Sequence, residues 1–113
     1  MTGEMIDKAL KDMAVEAHNL YGDKLKEVIL FGSCARDDFE SDSDVDVMIL
    51  VDVKDNEINE EMRRFHSIVC KLDQKYGYEL LFAPIVQSYD FFNYWIDVTP
   101  FYQNVRKEGI RYV

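Results

Sequence analysis

Residues 31–53 read FGSCARDDFESDSDVDVMILVDV and crowd seven acidic side chains between Asp37 and Asp52. Like charges that close repel, so the stretch asks for a positive partner that the chain itself does not print. Its second half, DVDVMILVDV, predicts a β-strand over about 44–53 from its length and β-branched content. Side chains two apart on a strand project to one face. Asp44 and Asp46 therefore aim at one volume, with Cβ atoms about 6.5–7 Å apart. Such a pair suits a divalent cation, or two cations about 3.5–4 Å apart of the kind used in nucleotidyl transfer. Just upstream, Gly32 allows a tight turn, and Ser33 offers a hydroxyl and an amide near the start of a short helix predicted over 33–38. A helix start of that kind accepts phosphate. Taken singly, an Asp-x-Asp at a strand start is usually a solvated edge and a Gly-Ser pair usually a turn. Their combination implies a metal clamp beside a phosphate seat.

Working outward, KEVILF at 26–31 predicts the strand that delivers the Gly-Ser pair. Before it, Ile6, Ala9, Leu10, Met13, Ala17, Leu20 and Tyr21 recur at helical spacing up to Gly22. After it, Ile58, Met62, Phe65, Val69, Leu72 and Tyr76 form one stripe of a long amphipathic helix that Gly77 ends. YELLFAPIV supplies a third strand, and Pro84 places it at a sheet edge or a bulge. Helix resumes after Ser88, and Thr99-Pro100 with Gly109 brackets a last helix over 100–108. The order α-β-(short α)-β-α-β-α predicts an α/β (α+β) fold, a small mixed β-sheet packed by helices.

The 113 residues fit one domain, 1–113, and 48% hydrophobic with 13% aromatic content suffices for a folded core. The net charge of −9, with 13 basic against 22 acidic residues and no basic block, disfavours direct binding of nucleic acid. No apolar run reaches the roughly 18 residues of a membrane span, and MTGEMIDKAL lacks a signal-peptide layout, so a cytoplasmic protein is expected. Cys34 and Cys70 follow no zinc-ligand spacing, which fits free thiols.

Two rival motifs fail on particular residues. Asp42, Asp44 and Asp46 open like a calcium loop, but Val47 stands where the turn needs glycine and Val53 where a bidentate Glu belongs. Neither a Walker A loop nor G-x-G-x-x-G occurs.

Gly32-Ser33, ten residues, then Asp44-Val45-Asp46 resembles the GS-x10-DxD signature of the DNA polymerase β-like nucleotidyltransferase superfamily. Ala35-Arg36, Ser43-Asp44, FAPIVQS and TPFYQNVRKEGI are similar to its minimal nucleotidyltransferase branch. The resemblance implies a nucleotidyltransferase fold, ATP with Mg²⁺, and transfer of AMP with release of pyrophosphate. It implies Asp44 and Asp46 as catalytic metal ligands, Ser33 against the triphosphate and Gly32 shaping the loop. Many members of that branch are antitoxins that silence a HEPN-domain toxin by AMPylating a tyrosine. The chain has Asp37 where the family often has glycine, and aspartate tolerates a left-handed backbone better than most residues. The family's third carboxylate falls on a later strand, where Glu79 is the acid placed for it, on a register that periodicity does not fix.

Around this core of candidates, Arg36 suits either a phosphate contact or a structural ion pair. Cys34 beside a helix start suits a lowered thiol pKa, although no His or second Cys adjoins it to use that. His18 and His66 lack ligand spacing. FFNYWIDVTPFY, 91–102, holds six aromatic side chains; a domain this small has trouble burying all of them, which points to a homo- or hetero-oligomer surface. The leading expectation is an adenylyltransferase acting on a HEPN toxin tyrosine. Its alternatives are an antitoxin that works by binding alone, or nucleotidyl transfer to a small molecule such as an aminoglycoside.

Overall fold

The computed structural model describes residues 2–113. Helix α1, Gly3–Tyr21, starts where the Thr2 side chain accepts a hydrogen bond from the Met5 amide at 3.1 Å, and it buries Ile6, Ala9, Leu10, Met13, Ala17 and Tyr21. Strand β1, Leu25–Phe31, follows a single 3₁₀ turn. The short helix α2, Ser33–Arg36, leads into strand β2, Asp44–Val51. Helix α3, Ile58–Lys75, crosses over to strand β3, Leu81–Ser88; helices α4, Tyr89–Trp95, and α5, Pro100–Glu108, and strand β4, Ile110–Arg111, complete the chain.

The sheet order is β3-β2-β1-β4. β1 runs antiparallel to both β2 and β4, while β2 and β3 are parallel, as a helical crossover between them requires. The mixed α/β fold expected from the element order is the one observed. Pro84 lies on β3, an edge strand, where the missing N–H disturbs the ladder least. The boundaries differ from the expected ones: β2 ends at Val51 rather than 53, β3 begins at Leu81 rather than 78, and the two-residue β4 carried no periodicity to announce it.

Alternation along the central strands sends neighbours to opposite layers. Val45, Val47, Ile49 and Val51 pack with α1 and α3, whereas Met48 and Leu50 pack with Phe92, Tyr102 and Val105 of α4 and α5. Burying one such large side chain contributes about 1.5–3 kcal/mol. On α3 the inward face carries Phe65, Ile68, Val69 and Leu72, and Met62 is left 43% exposed. The helix is turned so that Glu61 faces in instead, its carbonyl accepting the Tyr21 hydroxyl at 3.4 Å and its carboxylate held by Arg64 at 3.0 Å. Among the described residues, no helix is long and apolar enough to cross a membrane.

Candidate functional site

The same alternation that buries Val45 and Val47 puts Asp44 and Asp46 on the face of Met48 and Leu50, at the start of β2. Asp44 is exposed and Asp46 half-buried. Asp46 pairs with Phe31, the last residue of β1, so the next residue, Gly32, lies against its carboxylate. Gly32 has φ +75°, and a Cβ there would collide with a carboxylate oxygen of Asp46 and sit 3.3 Å from its Cγ. Only glycine fits, for backbone and space alike.

From Gly32 the chain turns at once into α2, with the amides of Ala35 and Arg36 donating to the Gly32 carbonyl at 3.1 and 3.2 Å. Ser33 is the first helical residue and is half-buried beside the Asp pair's strand. The helix stops at Asp37, whose left-handed φ of 60° lets the Asp38 amide reach the Ser33 carbonyl at 3.1 Å. Cys34 is buried, and its thiol donates to the Asp44 carbonyl at 3.5 Å, tying α2 to the start of β2. Burial, and after it the Asp46 charge, pushes the Cys34 thiol up, the reverse of the lowering its position near a helix start suggests. It is a strut for the loop rather than a reactive thiol.

Burial first and the Asp44 charge second raise the Asp46 carboxyl above its ordinary range, while Arg36 pulls it back. Neither carboxylate of the pair forms an ion pair among the described residues. Their oxygens therefore remain available, and two carboxylates completed by substrate phosphates are the donor set that Mg²⁺ ordinarily takes. Glu79 does not join them. It is exposed in the bend ahead of β3, and the register sets Leu81 opposite Asp44 and Ala83 opposite Asp46. Among the described residues, no three His, Cys, Asp or Glu side chains gather as a metal site.

Arg36 reaches Asp38 at 3.3 Å and Glu108 at 3.4 Å, both exposed pairs of the weak kind. It also lines a hollow of about 220 Å³ beside Gly32, with Phe31, Phe101, Asn104 and Glu108. Phe31 and Phe101 meet edge to face at 5.5 Å. Phe101, Asn104 and Glu108 were not legible as neighbours of the Gly-Ser loop, because α5 lies some seventy residues on in sequence; the TPFYQNVRKEGI stretch was the one hint. His18 and His66 take no part in this hollow.

Residues 10–111 match the family described as "Nucleotidyltransferase domain". Two proteins of Methanocaldococcus jannaschii are similar to the chain. "Putative protein adenylyltransferase MJ0604" is 34% identical over 103 residues, 91% of this chain and 93% of that protein. "Putative protein adenylyltransferase MJ0141" is 37% identical over 81 residues, 72% of this chain and 78% of that protein. Among solved structures, a chain of "Crystal structure of the toxin-antitoxin with AMP-PNP" is similar in fold, with a TM-score of 0.51 at 15% identity over 89% of this chain and 70% of that chain. The family match runs from α1 to β4 and takes in the whole of the Gly32–Asp46 loop, so this chain belongs to the nucleotidyltransferase domain family and is a nucleotidyltransferase.

Proposed function

We propose that residues 1–113 act as one cytoplasmic catalytic domain that transfers AMP from ATP, with Mg²⁺, to a tyrosine of a HEPN-domain toxin, and so serve as its antitoxin. The observation that carries this reading is the Asp44 and Asp46 pair on one face of β2, pressed against a glycine that admits no side chain. Support for a protein acceptor comes from two relatives named as protein adenylyltransferases.

In the transfer, the tyrosine oxygen bonds to the α-phosphorus, the bond from that phosphorus to the α,β-bridging oxygen breaks, and pyrophosphate leaves with the electron pair. The hydroxyl proton leaves to solvent, its departure assisted by the charge of the carboxylate pair and of the cation they would hold. Asp44 and Asp46 would hold Mg²⁺, which when bound offsets phosphate charge. Gly32 lets the polyphosphate approach the backbone, and the Ser33 hydroxyl orients it. Arg36, held only by two exposed pairs, is free to swing to a phosphate. Glu79 would complete the ligand set only if the bend ahead of β3 closes over the bound nucleotide.

Label transfer from α-labelled ATP to the protein encoded by the adjoining reading frame tests the reading. The Asp44→Asn/Asp46→Asn variant should lose at least about a hundredfold in rate, in line with removing an electrostatic contribution of about 2.7–4 kcal/mol. Undiminished transfer would sink the mechanism. A second reading, neutralisation by binding alone, is favoured by Leu81 and Ala83 standing where the neighbouring strand faces the pair. It predicts that the same variant still silences its partner in growing cells.

A further inference from the structure

A cleft of about 760 Å³ opens at the opposite end of the sheet, where β2 and β3 finish and β1 begins. The eight residues of β2 run from Asp44 to the edge of the cleft, about 25 Å at strand spacing, so it belongs to a different surface from the Gly32 loop. Phe91, Tyr94 and Trp95 form one wall. Tyr94 is 76% and Trp95 43% exposed, and their rings meet edge to face at 5.0 Å, with Phe91 at 6.3 Å from Trp95. Phe91 is half-buried against the core that Phe92 and Tyr102 complete, whereas Tyr94 and Trp95 lie outside it, and leaving them in water forfeits apolar burial.

The carboxylates of Asp52, Asp55, Glu57 and Asp90 share the lining with the two ammonium groups of Lys24 and Lys54, Asp90 on α4 beside the rings and the others from the segments around the ends of β1 and β2. Among the described residues, none of these six charges enters an ion pair, although nine pairs form elsewhere in the fold. The cleft thus joins exposed aromatic faces to a surplus of unpaired carboxylates. A guanidinium matches both at once, stacking its plane on a ring and pairing its N–H fork with a carboxylate. The volume exceeds that of one side chain, which leaves room for a short segment.

From this charge and ring complementarity we infer that the cleft is a docking site for an arginine-bearing segment of a protein partner, held by the rings of Tyr94 and Trp95 and by the carboxylates of Asp52 and Asp90 that line the same cleft. It stands apart from the transfer chemistry and holds whether or not the Asp44 pair is active.

Trp95 is the one tryptophan of the chain, so its emission reports on this cleft. The test titrates the full chain with a capped peptide of alternating arginine and glycine, and with the same peptide carrying citrulline, which keeps the shape and removes the charge. The arginine peptide should give a saturable change in Trp95 emission, weakened at least about tenfold in Asp52→Asn/Asp90→Asn and tightened in Lys24→Gln/Lys54→Gln. Amide shifts in a ¹⁵N spectrum should fall on 52–57 and 88–95, and the unperturbed remainder of the variant's spectrum verifies its fold. An equal response to citrulline, an unchanged Kd in the Asp variant, shifts confined to 32–46, or no saturation up to about 1 mM would overturn the assignment. So would sedimentation showing that the cleft is filled by a second copy of the chain.

Discussion

At Asp37 a single side chain stands in a backbone conformation that glycine takes freely, and the consequence is measurable. Its left-handed φ of 60° ends α2 and sets the entry to the loop that leads to Asp44. Asp37→Gly should raise the unfolding free energy by about 0.5–1 kcal/mol, read from urea denaturation, because the side chain's steric cost in that region disappears. The sequence made this residue suspect, and the structure places it in the conformation that the suspicion required. Asp44 and Asp46 give the next test. Two carboxylates without ion pairs repel, so a bound cation stabilises the fold by mass action, by about 2.7 kcal/mol at a hundred times its Kd. Magnesium should therefore raise the melting temperature of the native chain, and leave that of Asp44→Asn/Asp46→Asn where it was. At Cys34 two local effects compete: nearness to a helix start favours a thiolate, but burial and then the Asp46 charge outweigh it, in keeping with a cysteine that has no His or second Cys beside it.

Among the elements, α5 and β4 depend on one buried acid. Glu27, 4% exposed on β1, takes both guanidinium nitrogens of Arg106 at 2.6 and 2.9 Å and a third from Arg111 at 2.9 Å. Arg106 also lies over the Phe92 ring at 5.1 Å. Glu27→Gln should cost about 1–3 kcal/mol in urea, below the 3–5 of a fully buried pair because both arginines keep access to water. Since α5 carries Phe101 and Asn104, the hollow beside Gly32 should loosen with it. Periodicity found α1 and α3, because a stripe repeats within one segment, and the Thr99-Pro100 start with the Gly109 stop found α5 over its whole length. Periodicity placed Met62 inward on α3 where the structure turns Glu61 in, since the rotation of a helix about its axis is set by what it packs against, here α1 through Tyr21.

For the molecule as a whole, α1 is bound through two carboxylates, one to the distant end of the chain and one to the end of α3. Asp7 accepts from the Tyr112 hydroxyl at 2.8 Å, and Asp12 from the Tyr76 hydroxyl and from Lys75 at 2.9 Å. The tyrosine bond first and the lysine second hold both carboxyls below their ordinary range. A lowered folded pKa contributes stability above the unfolded value, about 3.9, and loses it as pH falls through the folded one. The melting temperature should drop over that acid window, and drop less in Asp7→Asn/Asp12→Asn. At the alkaline end, burial and then the Asp12 bond push Tyr76 up to about 12, so its contribution is whole below the unfolded value of about 10 and fades as pH rises through 12. The aromatic run at 91–102 divides at this scale too: Phe92 and Tyr102 close the core, while Tyr94, Trp95 and Phe101 stay exposed. Sequence by itself determined that Asp44 and Asp46 share a face and that a glycine adjoins them, because a two-residue period and a turn are local properties of the chain. Tertiary structure alone decided that Leu81 and Ala83, not Glu79, stand across from the pair, that α5 walls the hollow beside Gly32, and that three aromatic rings meet four carboxylates at the far end of the sheet. Strand register and helix docking depend on contacts between segments tens of residues apart, and no local pattern encodes them.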